Sequence, residues 1–166
     1  NESFIKSHQT LAIGENKNIN GLGVSLNTRT PLGLTKINRG FKSHELAGNE
    51  SINRYYEIEP SFNIGLHVDL TFNYFDHELN NNDENELKIW KSVDNGTNWL
   101  ERGGFVIPEN NQIQLNAISS FSHWSAGTNK IITLPVELFL FEGKREDDLV
   151  KVEWVVLSET NTKAYQ

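Results

Sequence analysis

The chain has 166 residues, no cysteine, and 22 acidic against 15 basic side chains, for a formal net charge of −7. That length suits one domain, or one and part of a second, and buries about two-thirds of its unfolded surface without staples. The composition excludes disulfides and Cys-based zinc sites, and the acidic balance argues against a nucleic-acid partner, because it repels phosphate backbones. No apolar run approaches the ~20 residues that cross a bilayer. The chain starts Asn1-Glu2-Ser3-Phe4 and contains no Met, so Asn1 is expected to be an internal or processed end. Abundant Asn, Gly, Thr and Ser favour strands and turns over helices.

A short apolar run at 10–13 ends at Gly14. Leu22, Val24 and Leu26 alternate through 19–26, and Gly21 and Gly23 predict a bulged strand there. Thr30-Pro31-Leu32-Gly33 is a turn, 34–39 a second strand and 41–49 a polar loop. In 52–60, Ile52, Arg54, Tyr56 and Ile58 share one face and Asn53, Tyr55 and Glu57 the other, and Pro60 closes the strand. The segment 66–75 alternates most clearly. Leu66, Val68, Leu70, Phe72 and Tyr74 line one face, as in an antiparallel strand resting on a core.

An acidic loop, 76–86, separates that strand from the strongest hairpin signal. Leu87 and Ile89 face opposite to Lys88, Trp90 and Ser92, the turn Asp94-Asn95-Gly96 tolerates positive φ, and Trp99 starts the return strand. Short strands follow at 105–107, 112–115 and 121–125, and the pattern breaks across 126–130. Two apolar strands, 135–143 and 149–157, flank the charged turn 144–148. Val136, Leu138 and Leu140 lie on one side, Phe139 and Phe141 on the other. About ten short strands without helical periodicity predict an all-β antiparallel sandwich, jelly-roll or Ig-like, over residues 1–130. Residues 131–166 are expected to be a linker and the first hairpin of a following Ig- or fibronectin-like domain. Deleting 135–166 should then leave the melting temperature of 1–130 unchanged.

Several segments taken together carry a resemblance. They are Arg54-Tyr55-Tyr56-Glu57-Ile58-Glu59-Pro60, the strand 66–75, Glu78-Leu79, Glu86-Leu87-Lys88-Ile89-Trp90-Lys91-Ser92 and Phe121-Ser122-His123-Trp124. Leu134-Pro135-Val136-Glu137-Leu138-Phe139-Leu140-Phe141-Glu142-Gly143-Lys144 completes the series, with Val152-Glu153-Trp154 and Ser158-Glu159-Thr160-Asn161 after it. The series, over 19–166, resembles a β-sandwich module of large secreted and surface proteins of Bacteroidetes-type bacteria, whose following fibronectin-like domain leads towards a type IX secretion signal. The resemblance implies an extracellular or cell-surface location and neighbouring domains as partners. It transfers no catalytic set.

Among local constellations, Ser92-x-Asp94-x-Gly96-x-x-Trp99 matches the Asp-box turn of sialidases and other extracellular β proteins. The Asp carboxylate accepts turn N–H groups, Gly takes the left-handed φ and Trp packs beneath, so the expected role is structural. The acidic loop collects oxygen ligands, with Asp76, Asp83 and Glu84 as calcium candidates, although EF-hand spacing fails. No histidine pair has metal spacing. Ser122-His123 and Ser125 lack the Gly-x-Ser-x-Gly elbow, so catalysis is not expected. Trp90 is the candidate surface aromatic for a sugar-stacking platform. Arg54, on a core face, requires an ion-pair partner, for which Asp69 and Glu57 are candidates. The expected function is a non-catalytic structural or adhesive module, contacting surface glycans or another protein. The alternative is a carbohydrate-binding accessory module of an extracellular hydrolase.

Overall fold

A computed structural model describes residues 4–129, 138–146 and 149–156. The chain divides into two compact units, 1–130 and 131–166. In chain order the strands are β1 (Ile5–Leu11), β2 (Gly14–Asn16), β3 (Val24–Thr28), β4 (Gly33–Gly40), β5 (Glu45–Leu46), β6 (Asn49–Glu50), β7 (Tyr55–Pro60) and β8 (Val68–Asn73). They continue with β9 (Lys88–Ser92), β10 (Leu100–Gly103), β11 (Phe105–Ile107), β12 (Gln112–Ile118), β13 (His123–Gly127), β14 (Leu138–Glu146) and β15 (Leu149–Val156). Among the described residues helical structure is limited to short 3-10 turns such as Asp76–Glu78 and Glu84–Glu86. Among the described residues no helix is long and apolar enough to cross a membrane.

The first unit is an antiparallel sandwich. One sheet has six strands in the order β1-β4-β7-β13-β9-β10, and the other five in the order β11-β12-β8-β3-β2. The alternation that predicted the 66–75 strand is realised in β8: Val68, Leu70 and Phe72 are buried between the sheets, while Asp69, Thr71 and Asn73 face outward. Val24 and Leu26 of β3 pair beside Phe72 and Leu70. From the six-stranded sheet Ile37, Tyr56, Ile58, Ile89 and Trp124 complete the same core. The ring of Tyr56 meets that of Phe72 edge-on at 5.0 Å. The second unit contributes a hairpin, β14 paired with β15.

Several expectations are corrected. β1 was not foreseen, because the polar Ile5-Lys6-Ser7-His8-Gln9-Thr10-Leu11 occupies a sheet edge and buries only one side chain in three or four. The expected strand over 19–26 splits into a 3-10 turn, Ile19–Gly21, and β3, since Asn20 and Gly21 both take positive φ. The expected polar loop at 41–49 holds β5 and buries Leu46. Leu46 packs against Gly127 of β13, and Ile52 N–H donates to Ala126 O at 2.9 Å, so this segment covers the outer side of the six-stranded sheet. The expectation of two apolar faces in the tail hairpin rests on residues 135–137 and 157 and on the side chains of 138–141, which lie outside the described residues.

Candidate functional site

Arg39 is the penultimate residue of β4 and Arg54 precedes β7, and both project into the space between the sheets at one end of the sandwich. They are 8% and 1% exposed. Burial at that depth requires a counter-charge, which comes from Glu78, itself 4% exposed. Arg39 Nη2 donates to Glu78 Oε1 at 3.0 Å. Arg54 Nη2 stands 2.7 Å from Glu78 Oε2, a charge contact rather than an aligned hydrogen bond. The Phe75 N–H donates to Oε2 at 2.9 Å, and the Glu78 N–H donates to Phe75 O at 2.8 Å, closing the 3-10 turn, so that the two bonds together fix the carboxylate. Neither expected partner of Arg54 holds: Asp69 pairs with Arg29 at 3.0 Å, and Glu57 accepts from Asn38 at 2.7 Å. Both belong to outward-facing positions, whereas the loop carrying Glu78 folds over the open end of the core.

The remaining guanidinium contacts knit this end together. Arg54 Nη1 donates to Asn73 O and to the Tyr56 hydroxyl, and Arg39 Nη1 to Leu22 O at 3.4 Å. Tyr56 donates its hydroxyl to Leu22 O at 2.7 Å, and burial pushes its pKa up to about 12 against the opposing pull of Arg54 and Arg39. Arg54 lies 4.8 Å from the ring centroid of Phe75, a side chain 51% exposed at the surface. The Nε of each arginine has no hydrogen-bond partner among the described residues.

A cleft of about 530 Å³ opens over this cluster, lined by Arg39, Arg54, Thr71, Asn73, Phe75 and Gln112, with Lys17 and Glu15 at its side. A shallower depression of about 240 Å³ shares Glu15, Ser25 and Thr71 with it. Together they follow the outer face of the five-stranded sheet. There strand pairing sets polar side chains in rows: Ser25, Thr71 and Gln114 in one, Glu15, Asn27 and Asp69 in the next, Asn73 and Gln112 in a third. The first row continues to Phe105, which is 70% exposed.

The hairpin turn is closed by the residues expected to close it. Ser92 Oγ accepts from Gly96 N–H at 2.9 Å and donates to Asp94 Oδ1 at 2.7 Å. Asp94 accepts from the Asn98 backbone at 2.9 Å and from its side chain at 2.6 Å, which with Ser92 draws the carboxyl down to about 2. Trp99 donates Nε1–H to Gly96 O at 3.0 Å and lies 4.9 Å from His44. Beside the turn, burial lowers the Lys91 ammonium below its ordinary 10.5, with Arg102 adding repulsion, and Lys91 Nζ donates to Ser120 O at 2.6 Å.

Trp90, expected at the surface, is 3% exposed and donates Nε1–H to Gly127 O at 3.1 Å. β9 is flanked by β13 and β10, and the segment around Leu46 covers its outer side, so Trp90 offers no free face. The calcium candidates are not gathered: among the described residues no three metal-ligating side chains converge. Asp76 accepts from Asn111, Asp83 from Asn85 N–H at 3.0 Å and Glu84 from the Tyr74 hydroxyl at 2.9 Å. The acidic loop is pinned rather than free. Asn82 donates to Leu79 O and Glu50 O and accepts from Thr128 N–H at 2.9 Å. His123 Nε2 lies 3.5 Å from Glu57, and Ser125 donates to Arg54 O, which places both in the frame.

Sequence reasoning singles out Arg54 but not Arg39, and it places Glu78 in the acidic loop without pairing it to Arg54. Arg39 shares strand parity with Thr35 and Ile37, which was the available signal. No match is found among protein-family models, curated proteins or solved structures.

Proposed function

We propose that the chain is a non-catalytic adhesive or structural module of a secreted or surface-displayed bacterial polypeptide, with the outer face of its five-stranded sheet as the contact surface. The observation that carries this reading is the ordered polar face: amide, hydroxyl and carboxylate side chains stand in register across β3, β8 and β12, beside an open cleft. Neighbours within such a row stand about 4.8 Å apart and successive rows about 6.7 Å apart, which sets hydrogen-bonding groups in a regular two-dimensional array. The sequence resemblance supports the extracellular setting and the neighbouring domains. The accessory-module reading is favoured by the continuity of the cleft with the Phe105 row, and it uses the same face.

The test is adhesion of the immobilised chain to cell-envelope polysaccharide. The substitution Thr71→Glu on the proposed face should abolish retention. Lys36→Glu, on the other sheet, should leave it intact. Equal behaviour of the two variants, or no retention by the parent chain, overturns the assignment.

A further inference from the structure

We propose that the cleft at the Arg39–Arg54 end is a carboxylate site, and that it takes an acidic saccharide, a uronate-type unit of a glycan. This rests on the adhesive reading above and adds the ligand class. The first ground is charge. Two guanidiniums share one carboxylate, and all three groups are more than nine-tenths buried. The cluster is thus net positive beneath the cleft, in a chain whose formal charge is −7. At low local dielectric a charge imbalance of this kind acts strongly on an incoming anion.

The second ground is donor capacity. Both Glu78 oxygens are occupied, by Arg39 and by Arg54 with the Phe75 N–H. Each guanidinium carries five N–H donors, and the Nε of each, although closed to solvent, has no hydrogen-bond partner among the described residues, a buried donor left without an acceptor beneath the cleft. The planar fork of a guanidinium matches a carboxylate better than any other anion of that size except phosphate.

The third ground is access. Gly21 and Gly23 line the cleft, and a Cβ at position 23 would stand 2.6 Å from Arg54 Nη1. The glycine therefore keeps the guanidinium close to the cleft wall, where any other residue would displace it.

The surroundings select a sugar over a bare ion. The cleft joins a second depression along rows of amides and hydroxyls that can pair with several ring hydroxyls at once, more groups than a small inorganic anion would engage; the carboxylates in it, Glu15 and Asp69, are paired with Lys17 and Arg29. Half-exposed Phe75 supplies an apolar surface of the kind pyranose rings pack on. An acidic peptide would seek an open sheet edge, whereas this groove lies on a sheet face.

The experiment titrates the full chain with a glucuronate tetrasaccharide, its neutral glucose counterpart and inorganic phosphate, read by calorimetry. Binding of the uronate alone is expected, with Gln112→Glu weakening it about tenfold or more, the worth of one charged hydrogen bond. Gln112 is half-buried at the cleft wall, so this variant tests the site without disturbing the core. Arg39→Gln should abolish binding, its fold being checked separately by circular dichroism. Phosphate binding as tightly as the uronate would overturn the saccharide class. Neutral and acidic sugars binding alike, with no effect of Gln112→Glu, would overturn the carboxylate site and leave the adhesive reading standing. Failure of every probe, with adhesion to polysaccharide retained, would also refute this inference alone.

Discussion

Replacing Glu78 by Gln removes the carboxylate on which both Arg39 and Arg54 depend. The side chain keeps its volume, so no cavity opens, and the loss is electrostatic. Two buried guanidiniums are left facing an amide, and the amide nitrogen turns a donor towards a donor. Breaking a buried pair by removing one partner costs about 3–5 kcal/mol. For a sandwich of this size each kcal/mol shifts the midpoint by about 4 °C, so the thermal midpoint should fall by roughly 12–20 °C. The comparison is Lys36→Gln, which breaks the exposed Lys36–Glu59 pair at 3.0 Å and should cost less than about 1 kcal/mol. Both are measured by circular dichroism at neutral pH. Adding Arg54→Met to the Glu78 variant should restore part of the loss, because it withdraws an orphaned charge. If Glu78→Gln costs no more than Lys36→Gln, the cluster does not hold this end of the sandwich together.

Gly40 opposes Tyr55 across β4 and β7, and a Cβ there would stand 2.0 Å from the tyrosine ring; Gly40→Ala should cost about 1–3 kcal/mol by overpacking, and a denaturant midpoint equal to the parent's would contradict it. Asp94 titrates near 2 in the folded chain against an ordinary 3.8. Its contribution is therefore full above pH 4 and lost as pH falls through about 2, so Asp94→Asn should flatten the stability profile in that window; parallel profiles for parent and variant would remove the turn from the account. Trp90→Phe keeps an aromatic ring but loses the bond to Gly127 O, for about 1 kcal/mol. A drop in glycan affinity with unchanged stability would instead make Trp90 a ligand residue.

The all-β class and the strands of the core were legible because burial imposes period two on them, as in Val68, Leu70 and Phe72. The turn from Ser92 to Trp99 was legible because its hydrogen bonds are local, none spanning more than four residues. The arginine cluster was not, because its partners lie far apart in sequence, 39 positions for Arg39 and Glu78. A carboxylate in an acidic loop gives no sign that it will be folded inward. Trp90 was misread for a related reason: alternation says which side chains share a face, but not which loop will cover it. The cover here is the polar stretch around Leu46, whose single buried apolar residue is too little to register as an element.

The strand order of the larger sheet has a consequence for how the molecule is made. β13, the last strand of the first unit, sits between β7 and β9 at the sheet's centre. Until residues 123–127 are available, β1-β4-β7 and β9-β10 are two partial sheets with facing open edges. Trp124 is also absent from the core, and Asn82 lacks Thr128. Synthesis delivers that strand late, so the sandwich closes only when nearly the whole unit has emerged. Non-local closure of this kind is slow, and until it occurs the two partial sheets keep their open edges.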